Sequence, residues 1–299
     1  MIEKVCFYRF FGIILQDKTI IRYMINFPLA KINLGLNVVS KRPDGYHDLE
    51  TVFYPVAIRD ALEVFPMDLQ FPSSVACDLK VTNITIEGEE QKNLVVKAYN
   101  QLAADYDLPR VHAHLFKSIP TQAGMGGGSS DCAYMILALN EMFHLGMSVE
   151  EMIGRAARLG ADCPFFILSR PAYAEGIGER LEPVDLSLKG YWLVVVRPDI
   201  PVSTREAFSL IKPCPTIKKC REVIKQPIST WRDDLINDFE KSVFALHPEI
   251  GIIKQRLYDC GAIYSSMSGS GSSVFGIFNE IIDLSSEFEG MFCRTVELD

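Results

Sequence analysis

The stretch I-P-T-Q-A-G-M-G-G-G-S-S-D, residues 119–131, constrains the fold more than any other part of the chain. A strand-like segment at 111–117 precedes it. An amphipathic helical pattern at 130–145 follows, with Ala133, Ile136, Leu137 and Asn140 on related turns and a stop near Gly146. Between them Gly124, Gly126, Gly127 and Gly128 remove the Cβ atoms that would keep a ligand away from the backbone. The helix that opens at Ser129, Ser130 and Asp131 then presents unsatisfied N–H groups and the positive end of its dipole. Together these features suit a phosphate group. The loop is not of the Walker A type, because no lysine precedes the serine pair, and Ser129 stands where a dinucleotide fingerprint needs its third glycine. A plain strand-to-helix connection capped by serine is the structural alternative.

Two other segments of small residues carry weaker signals. In L-G-A-D-C-P (159–164), Asp162 lies between a helix-ending glycine and a proline, where it either aims a carboxylate from fixed backbone or forms an ordinary turn. M-S-G-S-G-S-S (267–273) reads as a hairpin turn, or as a second phosphate contact beside the first. The opening strand I-N-F-P-L-A-K-I-N-L-G-L alternates, so Ile32, Leu34 and Leu36 face one way and Lys31, Asn33 and Gly35 the other. The turn K-R-P-D-G-Y-H (41–47) follows, with Pro43 and Gly45 in reverse-turn positions. Exposed on such a turn, Tyr46 and His47 form an ordinary surface hairpin or an aromatic contact for a ligand.

Elsewhere the pattern gives strands at 49–58, 61–66, 79–86, 165–168, 172–175, 191–197, 262–267 and 273–278. It gives helices at 93–106, capped by Asn93, and near 238–246 and 248–259, with Ser148/Glu151 and Ser203/Glu206 as capping pairs. Residues 67–78 read as a loop, and 212–230, rich in Pro, Lys and Ser, as a loop or a poorly fixed helix. Hairpins mixed with helices imply an α+β architecture in two layers. With 299 residues, 48% of them apolar, the chain can build two cores and is neither disordered nor a coiled coil. The net charge of −8 removes any broad attraction to nucleic acid. No apolar run is long enough to cross a membrane. The eight cysteines and five histidines are scattered without metal-binding spacing, so the cysteines are read as reduced, mostly buried thiols of a cytoplasmic protein, and His112 and His114 as one solvated strand face. Residues 1–23 carry charges through their apolar patches and no cleavage site, so they are expected to be an extension outside the catalytic fold, added from an upstream start codon, rather than a secretory signal.

Taken together, P-L-A-K-I-N-L, R-P-D-G-Y-H, P-T-Q-A-G-M-G-G-G-S-S, L-G-A-D-C-P and S-G-S-G resemble, in order and spacing from Met24 to near Phe278, the galactose, homoserine, mevalonate and phosphomevalonate kinases, the GHMP kinases. The extra glycine before Ser129 and the position of Asp44–His47 are similar to the branch whose acceptor carries a cytidine diphosphate, in isoprenoid precursor synthesis. Thr121, Gln122 and Ala123 depart from the glycines or Met-Gly run often found there.

The resemblance implies a two-domain fold. An N-terminal domain, 24–170, would be like domain 2 of ribosomal protein S5, and a C-terminal domain, 171–299, would be ferredoxin-like, with the active site in the cleft between them. It implies ATP with Mg²⁺ and a small-molecule acceptor, in a monomer or weak homodimer that binds neither nucleic acid nor membrane. Asp162 would be the base and Lys31 the charge stabiliser. Asn93, Lys117 and the loop from Pro120 and Thr121 through Gln122, Ala123, Gly124, Met125, Gly126, Gly127 and Gly128 to Ser129 and Ser130 would hold ATP. Asn33, Tyr46, His47, Gly269, Ser270 and Gly271 would hold the acceptor, and Mg²⁺ would sit on nucleotide oxygens with no dedicated protein ligands. Two rivals remain: a kinase of this family for mevalonate, homoserine or a sugar, and a silent nucleotide-binding protein on the same scaffold.

Overall fold

A computed structural model describes residues 9–16, 19–215 and 218–299. The strands are β1 (Arg9–Gln16), β2 (Thr19–Asn26), β3 (Leu29–Lys41), β4 (His47–Arg59), β5 (Ala61–Pro66), β6 (Cys77–Thr82), β7 (Val111–Phe116), β8 (Ala172–Gly176), β9 (Arg180–Pro183), β10 (Trp192–Arg197), β11 (Tyr264–Met267), β12 (Val274–Phe278) and β13 (Phe292–Glu297). The helices are α1 (Leu94–Ala103), α2 (Gly127–Met142), α3 (Val149–Ala157), α4 (Cys163–Leu168), α5 (Thr204–Phe208), α6 (Cys220–Val223), α7 (Trp231–Asp234), α8 (Glu240–Leu246) and α9 (Pro248–Asp259).

The chain forms two compact units. The first takes the described residues through Leu29, then Arg59–Thr121 and Gly127–Ser169; the second takes Ala30–Ile58, Gln122–Gly126 and Arg170–Asp299. The sequence division at 170 therefore assigns Ala30–Ile58 to a different unit than contact does. Strand pairing is the reason: β4 runs antiparallel to β8, from Leu49 opposite Gly176 to Phe53 opposite Ala172.

In the first unit one sheet has the order β1-β2-β5-β7-β6, antiparallel except where β6 and β7 run side by side. Part of the segment expected to lie outside the fold is thus a β1–β2 hairpin at the sheet edge, joined to β5 through Met24, Ile25 and Asn26. Helix α2 packs on this sheet among α1, α3 and α4. It is buried on nearly all sides, from Ser130 through Leu139, rather than along one apolar stripe as its pattern implied.

The second unit has two sheets, β3-β4-β8-β9 and β11-β12-β10-β13. Its core joins Leu36 and Val38 of β3 to Val194, Val196, Val274 and Phe278, with Val243, Ile250, Ile253 and Leu257 from α8 and α9.

Three local readings change. Residues 165–168 form helix α4, not a strand, because Pro164 sits in its first turn, where a missing N–H costs nothing. The strand read at 79–86 spans Cys77–Thr82. Strand β3, read as alternating, is buried on both faces, so Lys31 and Asn33 point into protein as well. The seven described cysteines are free thiols, most of them buried, while Cys6 lies outside the described residues. His112 Nδ1 donates to Asp78 Oδ2 at 2.8 Å, and His114 Nε2 hydrogen-bonds the Thr82 hydroxyl at 2.9 Å, partners supplied by the neighbouring β6.

Candidate active site

In the first unit the phosphate-suited helix begins earlier than its pattern implied, at Gly127 rather than Ser129 or Ser130. Its unsatisfied N–H groups therefore come from the glycines themselves. Residue 127 has to be glycine: a Cβ there would lie 2.9 Å from Ile119 Cγ2 and 3.2 Å from Lys117 Nζ. Ser130 is fully buried and its hydroxyl has no hydrogen-bond partner.

Lys117 brings its ammonium beside the start of α2, 3.2 Å from where a Cβ on Gly127 would lie. It is 1% exposed, and its ammonium is committed to Asp60 and, at 2.8 Å, to Asp131 Oδ2. The other oxygen of Asp60 accepts the backbone N–H groups of Ser118 and Ile119. The cluster thus pins the end of β7 to the first turns of α2. Burial pushes the Asp131 carboxyl up to about 8, against the pull of Lys117. Burial also opposes the charge on Lys117, but Asp131 and Asp60 outweigh it and hold the ammonium above the ordinary lysine range.

Asn93 caps α1 by accepting from Val95 N at 2.9 Å, and it borders a cavity of about 340 Å³ with Leu79, Val81, Ile86, Glu90 and Lys92. Asp162 is the residue from which α4 starts; its carboxylate makes no capping bond to that helix. Beside it, the Cys132 thiol and then the Ser129 hydroxyl hydrogen-bond to Cys163 and hold its thiol below the usual range despite burial.

In the second unit Lys31 is 3% exposed. Its ammonium donates to Asn33 Oδ1 at 2.6 Å and to Gly124 O at 2.8 Å, and lies 5.1 Å from the centre of the Phe53 ring. Asn33 in turn donates to Thr51, whose hydroxyl donates to Gly35 O. A backbone bond from Lys31 N to Met125 O, 3.0 Å, docks the 122–126 loop on β3. Gln122 holds that loop with φ +50°, and Ala123 and Met125 are buried in it. The 268–271 turn closes on the same point: Ser268 Oγ donates to Gly124 O at 2.9 Å, and a Cβ on Gly124 would stand 1.9 Å from Ser268 O.

Tyr46 stands 61% exposed on the 42–46 turn, which Asp44 fastens by accepting from Tyr46 N. The ring of His47 stacks on Phe208 at 4.5 Å and 21°, and Phe208 meets Phe239 edge-on at 4.7 Å. A cavity of about 350 Å³ borders the same strands, with Ser40, Asp48, Glu50, Glu175, Arg180 and Lys219 around it. Among the described residues no cluster of His, Cys, Asp or Glu is arranged to hold a metal ion.

The family model described as GHMP kinases N terminal domain matches residues 93–170, and that described as GHMP kinases C terminal matches 212–284. A protein named 4-diphosphocytidyl-2-C-methyl-D-erythritol kinase from Bacteroides fragilis is 52% identical over 276 residues, covering 92% of this chain and all of the relative. The chain belongs to the GHMP kinase family.

A relative of the same name from Parabacteroides distasonis is 50% identical, over 86% of this chain and 92% of its own length. The crystal structure of a 4-(cytidine 5'-diphospho)-2C-methyl-D-erythritol kinase superposes with TM-score 0.74 at 31% identity, covering 92% of this chain and 99% of that one. A homoserine kinase from Cytophaga hutchinsonii shares the fold at TM-score 0.69 and 15% identity, over 96% and 97% of the two chains. The α+β fold of GHMP kinases, with its N- and C-terminal domains, is therefore that of this chain. Phe208, which stacks on His47, is a neighbour of that candidate residue that sequence reasoning passed over. Its signal was the Ser203/Glu206 capping box, present here in full, which fixes α5 and so the ring at its end.

Proposed function

We propose that the chain transfers the γ-phosphoryl group of ATP to the 2-hydroxyl of 4-diphosphocytidyl-2-C-methyl-D-erythritol, a step of non-mevalonate isoprenoid precursor synthesis. What carries this reading is a relative of that name, half-identical along nearly the whole chain. The chemistry is supplied by Lys31, a buried ammonium fixed on Gly124 O and Asn33.

In such a transfer the protein positions the two oxygens and offsets developing charge. Asp162 receives the proton of the acceptor hydroxyl late in the reaction, when a loose transition state has made that proton acidic. Lys31 stabilises the forming alkoxide. The N–H groups of Gly127, Gly128 and Ser129 hold a phosphate of the nucleotide, and Asn93 its adenosine. The residues fit a phosphate, since Ser130 offers a buried hydroxyl without a partner in the first turn of α2. Ser130 would hold Mg²⁺ together with nucleotide oxygens, and the ion would neutralise phosphate charge. Tyr46 gives the pyrimidine an aromatic face, His47 meets its hydrogen-bonding edge, and Asn33 and the Gly269-Ser270-Gly271 turn contact the acceptor's diphosphate and hydroxyls. The enzyme acts in the cytoplasm as a monomer or weak homodimer, without nucleic acid. No helix of the described residues is long and apolar enough to cross a membrane.

An ADP-release assay with Mg-ATP, run in parallel on 4-diphosphocytidyl-2-C-methyl-D-erythritol, mevalonate, homoserine and galactose, tests this. Turnover of the cytidylyl acceptor alone is the expected result. Turnover of another acceptor would keep the kinase and discard the cytidine site, and ATP binding with no turnover would make the chain a silent scaffold.

A further inference from the structure

We propose that Asn237 is a positioning residue for phosphoryl transfer, because its side-chain amide locks the 268–271 turn against Lys31 and the Gly124 carbonyl. The inference rests on the reading of Lys31 as charge stabiliser.

The segment Ile236–Asp238 runs beside β3 in parallel. Leu36 N donates to Ile236 O at 2.9 Å, Asp238 N to Leu36 O at 2.8 Å, and Val38 N to Asp238 Oδ2 at 2.9 Å. The backbone of residue 237 is thereby tied to the strand that carries Lys31 and Asn33. From that anchor the side chain, in a residue only 2% exposed, gives both Nδ2 hydrogens away, to Met267 O and to Gly269 O, each at 2.8 Å. Its Oδ1 accepts Phe239 N at 3.0 Å.

The two carbonyls that Asn237 holds flank Ser268, and Ser268 and Lys31 donate to one and the same oxygen, Gly124 O. Gly269 is closer still: a Cβ there would lie 3.2 Å from Gly124 O and 3.4 Å from Lys31 Nζ. The turn closes on itself through Ser268 N to Ser273 O at 2.9 Å and Gly271 N to Ser268 O at 3.0 Å, and Asn237 is the side chain that ties its Met267 and Gly269 carbonyls to the segment beside β3. Gly269 at φ +54° and Gly271 at φ +85° are conformationally permissive, and the hydroxyls of Ser272 and Ser273 are buried without partners. Removing the Asn237 donors takes the donor from Gly269 O and leaves Met267 O only the long bond from Ser266 Oγ, 3.4 Å, so the turn shifts towards other donors and takes Ser268 and Gly124 O with it. Displacements well under an ångström at a reacting ammonium cost rate without costing binding.

The test compares the full chain with Asn237→Asp, Asn237→Ala and Ser268→Ala. It reads kcat and both KM values in the ADP-release assay, the thermal midpoint, and amide hydrogen exchange over 266–274. Turnover by the unsubstituted chain tests the assigned reaction by itself; the ratio of each variant to it, together with exchange, tests the role of Asn237. Asn237→Asp keeps the acceptor for Phe239 N and loses the donors, so a residue that merely shapes the 237–239 turn would be rescued by it. The expected result is a loss of at least tenfold in kcat for both Asn237 variants, well below their thermal midpoints, with each KM within threefold and faster exchange over 266–274. Wild-type kcat in Asn237→Asp, or unchanged exchange over 266–274 in both variants, would overturn the proposal. If neither Asn237 variant folds, Ser268→Ala decides: at least a tenfold loss supports the proposal, and wild-type kcat overturns it.

Discussion

Asp162 stands where α4 begins, with Pro164 in that helix's first turn, four residues beyond the Arg158 cap of α3. Replacing it by Asn keeps its shape and deletes the proposed base. Asp162→Asn is expected to lower kcat at least a hundredfold, within the range for loss of a general base, and to leave ATP affinity unchanged by calorimetry. Equal losses in binding and rate would make the residue structural. Asp131 is a carboxylate of another kind, raised by burial to about 8 from an ordinary value near 3.8. Between those values the folded chain binds more protons than the unfolded one, so this group makes stability fall as pH rises from about 4 to 8. Lys117 acts at the far end of the scale: its raised value keeps its contribution below the ordinary lysine range and loses it only above. The thermal midpoint should therefore decline from pH 5 to pH 8, and Asp131→Asn should flatten that decline. The common side of Lys31 and Asn33 and the place of Asp162 just before Pro164 were legible in the sequence, because strand alternation and a neighbouring proline set them; their roles are proposals. The places of Lys117 and Asn237 were not legible, since the partners that define them lie on Asp60 and on Met267 and Gly269, distant in the chain.

Elements carry the proposed acceptor side. The 42–46 turn presents Tyr46, and α5 brings Phe208 beneath His47. Tyr46→Ala and Phe208→Ala should each raise KM for the cytidylyl acceptor about tenfold and leave KM for ATP alone, as steady-state kinetics with either substrate varied would reveal. An unchanged acceptor KM would remove that ring from the site. At the other end of the chain, β1 pairs with β2, and Met24–Asn26 make the link to β5. A chain that starts at Met24 keeps that link and is expected to retain kcat within twofold; loss of folding or activity would make the hairpin integral to the enzyme. The elements that sequence reading missed share a physical cause. Strand β9 has four residues and β13 is mostly half-exposed, so neither shows strong alternation, and α4 is too short and too buried to show a helical period.

At the scale of the molecule, the chain passes from one compact unit to the other at residues 29–30, 58–59, 121–122, 126–127 and 169–170. No single cut separates the units. A fragment 171–299 lacks β3 and β4 and with them the partner of β8, so it should show no cooperative thermal transition by circular dichroism, although the C-terminal family model falls inside it. A sharp two-state melt of that fragment would refute this. The family match at 93–170 and 212–284 was legible because it follows local motifs, whereas the assignment of β3 and β4 to the second unit depends on strand pairing that no local motif encodes. That pairing also sets a clock on the ribosome. Phe53 must wait for Ala172, about 120 residues further on, before β4 gains its second neighbour. At about 5–20 residues per second, the hairpin that bears Lys31 spends roughly 6 to 24 s of its synthesis with one edge bare.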